Sequence, residues 1–390
     1  MFDNIVAKLL VIFYNFVVMA GIYIHIPFCK KKCIYCDFYS VALSQDYVAK
    51  YLSALKKEFA YRKSEIGEDK IKTIYIGGGT PSMLSTQQLG DFVHSLDCPN
   101  TEERTVEVNP DDLTSDYVCG LVEAGFNRVS MGVQSFNDEE LKFLRRRHGA
   151  EKAVEAVRML QDAGIDNISI DLIYGIPGQT KETWSNSLRV ASSLGVKHIS
   201  AYSLMYEEGT RLTLMRDRGD FEEISDDVCV EMYQMLVAEL SKMGFVHYEI
   251  SNFAQPGYES KHNSSYWDFT PYIGLGASAH SFDGKVRRYN PSSVKKYIEA
   301  VLERSYAYEE ERETALELYN EWIMTRLRTK KGMDMDDLKV RFPNFCDYAK
   351  KVVSGFIGDG LMQRSGAVVS LTDRGVMLSD MIFRDLFLIE

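Results

Sequence analysis

The chain lacks the compositional excesses that mark specialised classes of protein. Proline is scarce, with nine in 390 residues, and glycine contributes only 27. Apolar residues make up 45% of the chain and charged residues 26%, which are ordinary values for a globular protein. Disordered, collagenous and fibrous chains are therefore excluded, and the length predicts two to three domains with a sizeable buried core.

An excess of positive charge is also missing from the sequence. The formal net charge is −11 at pH 7, and the isoelectric point is about 5.3. Proteins that bind nucleic acids need a basic surface to neutralise the phosphates. We therefore expect no nucleic-acid partner.

The cysteines do not form the even, spaced set that a disulfide framework requires. The chain has seven cysteines, an odd number for a chain of this length, and three of them fall within the eight residues 29–36. Disulfide frameworks belong to short secreted chains with paired cysteines. We expect a reducing compartment, the cytoplasm.

A hydrophobic run that clearly spans a membrane is missing too. Residues 9–24 form an apolar run of 16 residues, whereas a spanning helix needs about 20. The run lacks the basic flank and cleavage site of a signal peptide, and its end overlaps the predicted first core strand at 21–26. We interpret residues 1–20 as an N-terminal extension. For residues 1–18, a non-native or upstream start, an accessory helix and an anchor for peripheral membrane association all remain open.

Short strands rich in Val, Ile and Tyr alternate with amphipathic helices along the chain. Helical spacing is clear at 48–59 and 89–96, where Ser85 and Gln88 are placed as a capping box. Gly125, Gly164 and Gly195 each follow a helical stretch, at the position where helices often end. This alternation predicts βαβ units and a parallel sheet. The predicted strands are 21–26, 73–76, 105–108, 128–133, 167–173 and 197–203.

Polar residues cluster where these strands end. Cys29 follows the first strand, the segment 77–81 (Gly-Gly-Gly-Thr-Pro) follows the second, and Glu107, Gln134 and Asp171 end the next three. Side chains at the carboxyl ends of successive strands form the active face of a (β/α) barrel. The sequence therefore predicts an α/β fold, a partial, TIM-like (β/α)6 barrel over residues 21–245.

A second, smaller domain is predicted at residues 309–390. Three glutamates at 309–311 mark the boundary, and the segment 360–375 resembles the hairpin wing of a winged-helix domain of α+β type. Residues 312–390 carry 12 basic and 12 acidic side chains. Because the domain is neutral, we expect it to dock on or cover the barrel rather than to bind DNA.

The segment 29–36 carries the strongest chemical signal. Cys29, Cys33 and Cys36 lie on a loop that leaves a strand, so their sulfurs can converge on one metal centre. Thiolates suit zinc and iron–sulfur clusters, and the lysines at 30–32 are expected to favour the thiolate form. Structural zinc needs a fourth ligand, whereas a four-iron cluster held by three cysteines leaves one iron open for a small molecule. Zinc and free cysteines remain as alternatives.

A cysteine loop of this spacing after the first strand of a partial barrel resembles that of the radical S-adenosylmethionine (radical SAM) superfamily. The segments 23–29, 77–81, 106–110, 131–136 and 171–178 resemble more narrowly the oxygen-independent coproporphyrinogen III oxidases and their relatives. This resemblance implies a [4Fe-4S] cluster on the three cysteines, an electron donor such as flavodoxin or ferredoxin, and a 5′-deoxyadenosyl radical as the reactive species. It places S-adenosylmethionine (SAM) at Tyr23, Tyr35, Gly78, Gly79, Thr80, Glu107, Gln134, Arg146 and Asp171.

Three features separate the chain from the oxidases within this family. Phe38 stands where the oxidases have a further cysteine, only 22 residues precede Tyr23 where they have a long arm, and residues 262–267 resemble the H-N-x-x-Y-W segment of the HemW branch, the haem chaperones. That resemblance implies that haem or a porphyrin binds at His262, Tyr266 and Trp267, within a connecting segment 246–308, and that haem-acceptor proteins are partners.

The alternatives for this segment and for the function stay open at this point. His262 is otherwise a hydrogen-bonded histidine packed on the barrel. The rival function is an oxidase that converts coproporphyrinogen III to protoporphyrinogen IX. Whether the chain is an enzyme is not decided by the sequence.

Overall fold

The structure is a computed structural model that describes residues 20–42, 45–65, 71–303 and 308–389. The interpretations offered for residues 1–18 lie outside these described residues. The strands, numbered in chain order, are β1 (Ala20–Ile26), β2 (Phe28–Cys29), β3 (Val41–Ala42), β4 (Ile71–Gly78), β5 (Glu103–Val108), β6 (Arg128–Gln134), β7 (Asn167–Tyr174), β8 (His198–Ser203), β9 (Val246–Glu249), β10 (Asn252–Ala254), β11 (Tyr272–Leu275), β12 (His280–Phe282), β13 (Val286–Tyr289), β14 (Glu309–Arg312), β15 (Met333–Asp334), β16 (Met362–Ser365) and β17 (Val368–Leu371).

The α-helices of the described residues follow the strands in regular alternation up to β8 and then become irregular. They span Gln45–Arg62, Thr86–Ser95, Ser115–Glu123, Asp138–Phe143, Ala150–Asp162, Lys181–Ser193, Arg211–Asp217, Asp226–Lys242, Lys261–Trp267, Val294–Leu302, Ala315–Arg328, Met335–Arg341, Cys346–Gly358, Asp373–Val376 and Ser379–Leu386.

The central sheet is an open, twelve-stranded sheet in the order β14-β13-β12-β11-β1-β4-β5-β6-β7-β8-β10-β9. The six predicted strands, β1 and β4 to β8, run parallel in chain order, which confirms the partial (β/α)6 barrel. A seventh parallel strand, β11, pairs with β1 on its other side. The sequence did not predict it, because this strand has only four residues and a glycine, which weakens a strand interior, is one of them.

Helix boundaries agree with the local signals in the sequence. The Ser85 side chain accepts a hydrogen bond from the Gln88 backbone at 3.2 Å, and the Gln88 side chain accepts one from the Ser85 backbone at 2.9 Å. This capping box begins the helix Thr86–Ser95. Gly125, Gly164 and Gly195 have φ values of +81°, +87° and +69°, a conformation that glycine adopts without strain at helix ends.

The strands of the barrel bury two different faces. Side chains alternate across a strand, and Ile22, Ile24 and Ile26 of β1 are fully buried in the large apolar core. The intervening positions on β1, Tyr23 and His25, belong to the opposite, interior face. The same alternation separates Ile170 from the polar neighbours on either side of it in β7, so the barrel interior is lined by polar groups rather than by a second apolar core.

The C-terminal residues form a small domain with a core of its own. Its three strands pair antiparallel in the order β15-β17-β16, and Trp322 and Leu338 lie in a separate apolar cluster. This arrangement of helices with a hairpin wing matches the predicted winged-helix-like domain. β14 pairs with β13 in the large sheet, so that sheet extends past residue 309, where the boundary was expected.

Candidate functional site

A cavity of about 500 Å³ opens at the carboxyl ends of the parallel strands. Its lining contains most of the residues that the sequence selected: Cys29, Cys33, Tyr35, Cys36, Gly78, Gly79, Thr80, Glu107, Gln134, Arg146 and Asp171. Tyr23, His262, Tyr266 and Trp267 do not line it. Tyr23 lies on the interior face of β1, where its hydroxyl is 3.0 Å from His25 Nδ1 and its ring stacks on Tyr75.

The cysteine loop is held at both ends and at two of its sulfurs. β2 and β3 pair across its base. Cys29 Sγ lies 3.4 Å from Thr80 Oγ1, and Arg146 donates to Cys33 Sγ at 3.4 Å. The three cysteines are free thiols, and no group of three or more His, Cys, Asp or Glu among the described residues is placed to hold a single metal ion. In a four-iron cluster each thiolate binds a different iron atom, so the three sulfurs need not meet at a single metal ion.

Lys32, beside the cysteines, lowers the pKa of Cys36 as the sequence predicted, but burial outweighs this effect. Lys30, Lys31 and Lys32 are exposed, and Lys32 Nζ donates to the Phe38 carbonyl at 3.2 Å. Burial raises the pKa of Cys36 to about 11, and the Phe38 backbone and Lys32 offset only part of this. Metal binding must therefore release a proton from Cys36.

The glycine run after β4 packs against the backbone that leads to the cysteines. Gly79 N–H donates to the Ile26 carbonyl at 2.8 Å, and Thr80 N–H donates to the Phe28 carbonyl at 2.9 Å. Gly78 N–H donates to a carboxylate oxygen of Glu107 at 3.0 Å. The backbone amides of Gly78, Gly79 and Thr80 are thus hydrogen-bonded within the protein. A Cβ on Gly79 would lie 2.9 Å from the Ile26 and Phe28 carbonyl oxygens. The lack of a side chain at Gly79 therefore allows the backbone before Cys29 to pack against it.

Two buried carboxylates face the cavity. Glu107 accepts the Tyr75 hydroxyl at 2.8 Å, and burial, with a smaller effect of the Asp171 charge, raises its pKa to about 7. Burial also raises the pKa of Asp171 to about 6, although a hydrogen bond from Ser200 opposes the shift. Both groups therefore titrate near neutral pH. A cationic ligand would favour their ionised forms.

The last residue of β6 has a strained backbone conformation, which sets the direction of its side chain. Gln134 has φ +72°, which is unfavourable for a residue with a side chain, and the pairing of β6 with β7 is irregular between Gly132 and Gln134. A Cβ on Gly132 would lie 3.0 Å from the Gln134 side-chain nitrogen and 3.2 Å from an Arg146 nitrogen. Arg146 also donates to the Gly132 carbonyl. It thereby connects β6 to the sulfur of Cys33.

Several residues of the cavity wall were not selected from the sequence. Arg128 and Ser130 on β6, Ser200 and Tyr202 on β8, and Asn263 line the cavity as well. Arg128 and Ser130 lie at even spacings from Gln134 in β6, whereas the motifs identified no residue on β8. The period of two in each strand was the available signal.

His262 lies buried inside the barrel. It is 1% exposed, its Nδ1 lies 2.8 Å from Thr73 Oγ1, and its Nε2 lies 2.8 Å from the Tyr266 hydroxyl. Its ring also stacks on Tyr75, with centroids 5.1 Å apart. Burial lowers the pKa of His262 to about 3, so the ring is neutral. Both ring nitrogens are hydrogen-bonded in this conformation, which agrees with the alternative of a histidine packed on the barrel, and binding a haem iron would require His262 to give up one of these bonds.

The helix Lys261–Trp267 closes the amino-terminal end of the barrel. The backbone N–H groups of Lys261 and His262 donate to the Glu103 carboxylate at 3.1 and 3.0 Å. Tyr266 is held inside with His262. Trp267, at the other end of the helix, lines a second cavity of about 330 Å³ beside the C-terminal domain, and the Arg328 guanidinium lies 4.7 Å from its ring centroid.

Among the residues that the structure describes, no helix has both the length and the apolar character that crossing a bilayer demands.

Comparison with known proteins agrees with this geometry. The Radical SAM superfamily model matches residues 23–191, and the HemN C-terminal domain model matches residues 314–378. The haem chaperone HemW of Bacillus subtilis is 36% identical over 94% of this chain and 98% of its own length. HemW of Escherichia coli is 32% identical over 95% of this chain and 98% of its own.

A solved structure shares the fold over nearly the whole chain. The coproporphyrinogen III oxidase HemN of Escherichia coli matches with a TM-score of 0.80 and 23% identity, over 95% of this chain and 91% of that one. The open parallel barrel with a three-cysteine loop after its first strand defines a radical SAM protein. Within that superfamily, the chain belongs to the HemN/HemW family.

The geometry of the cysteine loop generates a first prediction. Replacing Cys29, Cys33 or Cys36 by Ala should abolish the iron–sulfur absorbance of anaerobically reconstituted protein, because each thiol faces the cavity. Cys119→Ala, which changes an exposed cysteine on a helix, is the matched control and should keep the cluster. A full cluster in Cys33→Ala would contradict the assignment.

A second prediction concerns the glycine run. Gly79→Ala should lower cluster content as well as SAM binding, since the added Cβ meets the backbone that positions Cys29. Gly355→Ala adds a Cβ in open space and should change neither. Iron and sulfide content after reconstitution measures the effect. Weakened SAM binding with an unchanged cluster would show that the loop contacts the ligand and not the cysteine loop.

Proposed function

We propose that this chain is a haem chaperone that holds a [4Fe-4S] cluster on Cys29, Cys33 and Cys36, binds SAM, and delivers haem to acceptor proteins. The observation that carries the proposal is the 36% identity to a haem chaperone over 94% of this chain and 98% of the relative. The larger cavity supports the binding of the cluster and of SAM. The three cysteines line it together with most of the residues that the family resemblance assigns to SAM.

The residues of the cavity fit a cationic nucleoside. When bound, the cluster and SAM together supply one-electron chemistry and a 5′-deoxyadenosyl radical. Glu107 and Asp171 provide negative charge for the sulfonium and ammonium groups of SAM. Arg146 bonds Cys33 and Gly132 and so fixes the distance between the cysteine loop and Gln134. The chain's part is to orient SAM and to exclude water.

The oxidase is the second candidate function, and the segment after Cys36 counts against it. Phe38 stands in place of the cysteine that the oxidases have, and its side chain is 64% exposed. An exposed phenylalanine cannot supply the chemistry of a thiol. We therefore rank the chaperone above the oxidase.

For haem, we propose that Trp267 is the contact in the segment 262–267. Its ring lines the second cavity together with Tyr248, and Lys330 and Lys331 stand on the same wall. Its indole nitrogen is buried and has no hydrogen-bond partner within the described residues. Flat aromatic surface suits the macrocycle and ammonium groups suit the propionates.

A rival haem surface exists at the mouth of the larger cavity. Phe38 and Met205 are 64% and 62% exposed, and both line that cavity together with the lysines at 30–32.

The same exposed lysines, next to the cysteines, suit an acidic electron donor such as flavodoxin or ferredoxin. The seven free cysteines support a cytoplasmic location.

The function itself gives a third prediction. The purified protein should bind haem to saturation in a spectroscopic titration and should form no protoporphyrinogen from coproporphyrinogen III when incubated anaerobically with SAM and a reductant. Decarboxylation at a rate comparable to that of an authentic oxidase would replace the chaperone by the oxidase. Absence of both haem binding and decarboxylation would leave only the radical SAM assignment.

A fourth prediction separates the two haem surfaces. Trp267→Ala should raise the Kd for haem about five- to ten-fold, the loss expected for one aromatic contact, while cluster and SAM binding stay unchanged. Phe38→Ala is the reciprocal variant, because it removes an exposed aromatic ring from the other cavity. An effect of Phe38→Ala alone would move the haem to the mouth of the larger cavity.

A further inference from the structure

Arg128, the first residue of β6, is a buried cation whose guanidinium has two nitrogens without a hydrogen-bond partner among the described residues. Its side chain is 1% exposed, yet it lines the larger cavity. Nε and Nη1 of its guanidinium are buried and make no hydrogen bond to any residue that the structure describes. Arg62, another buried arginine, shows the usual arrangement, with bonds to Glu58, the Gly274 carbonyl and Ser281.

Burying a guanidinium whose N–H groups lack hydrogen-bond partners lowers the stability of the folded protein. The position of Arg128 in the sheet indicates what offsets this cost. Two residues further along β6, Ser130 pairs with Glu107, and Gly132 pairs with Asp171. Since inward-facing residues repeat every second position, the guanidinium lies beneath the two carboxylates on the same wall of the cavity.

We propose that Arg128 is a positioning residue that favours the ionised forms of Glu107 and Asp171, so that the cavity can receive the positively charged end of SAM. This inference rests on the proposed function, because it assumes that SAM is the ligand of this cavity. Arg128 acts through the carboxylates and lies in the layer below them.

The groups that face Arg128 support a specific effect on the two acids. They come from five strands and the helix that closes the barrel: Tyr75, Glu107, Asp171, His198, Tyr248 and His262. Burial raises the pKa of both tyrosines and lowers the pKa of both histidines, so these four groups are neutral near pH 7. Among these six groups, only the two carboxylates are stabilised in their charged form by a nearby positive charge. The charge of Arg128 lowers the pKa of each.

The sign of the pH dependence follows from the raised pKa values of the acids. Glu107 and Asp171 ionise as the pH rises through about 7 and about 6, so the Kd of the wild-type protein for SAM should fall across this interval. Without the positive charge, both acids ionise at higher pH. At alkaline pH the neutral variant should bind SAM at least as tightly as the wild type, because the repulsion between Arg128 and the sulfonium is gone.

The test is anaerobic equilibrium dialysis of SAM against reconstituted protein between about pH 5.5 and pH 9, an interval that contains the titration of both acids. Arg128→Gln should move the midpoint of the binding profile upward by about one pH unit, the effect of losing one nearby opposite charge. Arg128→Lys keeps the charge and should restore the wild-type midpoint. S-Adenosylhomocysteine, whose thioether is neutral, should show a smaller displacement.

The controls distinguish this inference from the proposed function. Arg104→Met removes an arginine from β5 that bonds the Cys98 carbonyl, and it should leave the midpoint unchanged. Arg128→Met is a second neutral variant in case Arg128→Gln folds poorly, and cluster content reports folding in each. A purely structural role would weaken binding equally at all pH values. If Arg128→Gln and Arg128→Met both kept the wild-type midpoint, the inference about Arg128 would be overturned and the proposed function would stand. If the wild-type protein bound no SAM, the proposed function would be overturned together with the inference.

Discussion

The hydrogen bonds between the glycine run and the backbone before Cys29 connect the two parts of the site. Gly79 and Thr80 donate to the carbonyls of Ile26 and Phe28, so the end of β4 fixes where the cysteine loop leaves β1. Gly78 extends the connection to Glu107 on β5. The cysteines, the glycine run and the buried acid are therefore one unit, and a displacement of any strand in it would alter the whole cavity.

The polar interior of the barrel is the second constraint, and it places charged groups where burial changes their chemistry. Glu107 and Asp171 have pKa values raised to about 7 and about 6 by burial, and His262 remains neutral. Perturbed groups of this kind cluster at functional sites because catalysis and binding need them there. The helix Lys261–Trp267 closes the amino-terminal end of the barrel and contributes Asn263 to the larger cavity and Trp267 to the second, so the two cavities share one structural element.

The fold and the larger cavity could be predicted to a considerable extent from local patterns. Buried parallel strands read as continuous apolar runs, and residues at strand ends converge in any barrel of this type. The capping box at Ser85 and Gln88 could also be predicted, since it depends only on residues that are close together in the chain. β11 could not be predicted, because a short strand with a central glycine acquires its pairing from β1 and not from its own residues.

The division between sequence and tertiary structure is clearest at His262 and Arg128. By itself, the sequence determined the family, the cysteine loop and the strand ends, because these depend on spacing along the chain. Only the tertiary structure decided that both ring nitrogens of His262 are bonded inside the barrel and that Nε and Nη1 of Arg128 have no hydrogen-bond partner there among the described residues. Hydrogen-bond partners and burial come from residues that are far apart in sequence, and no local spacing encodes them.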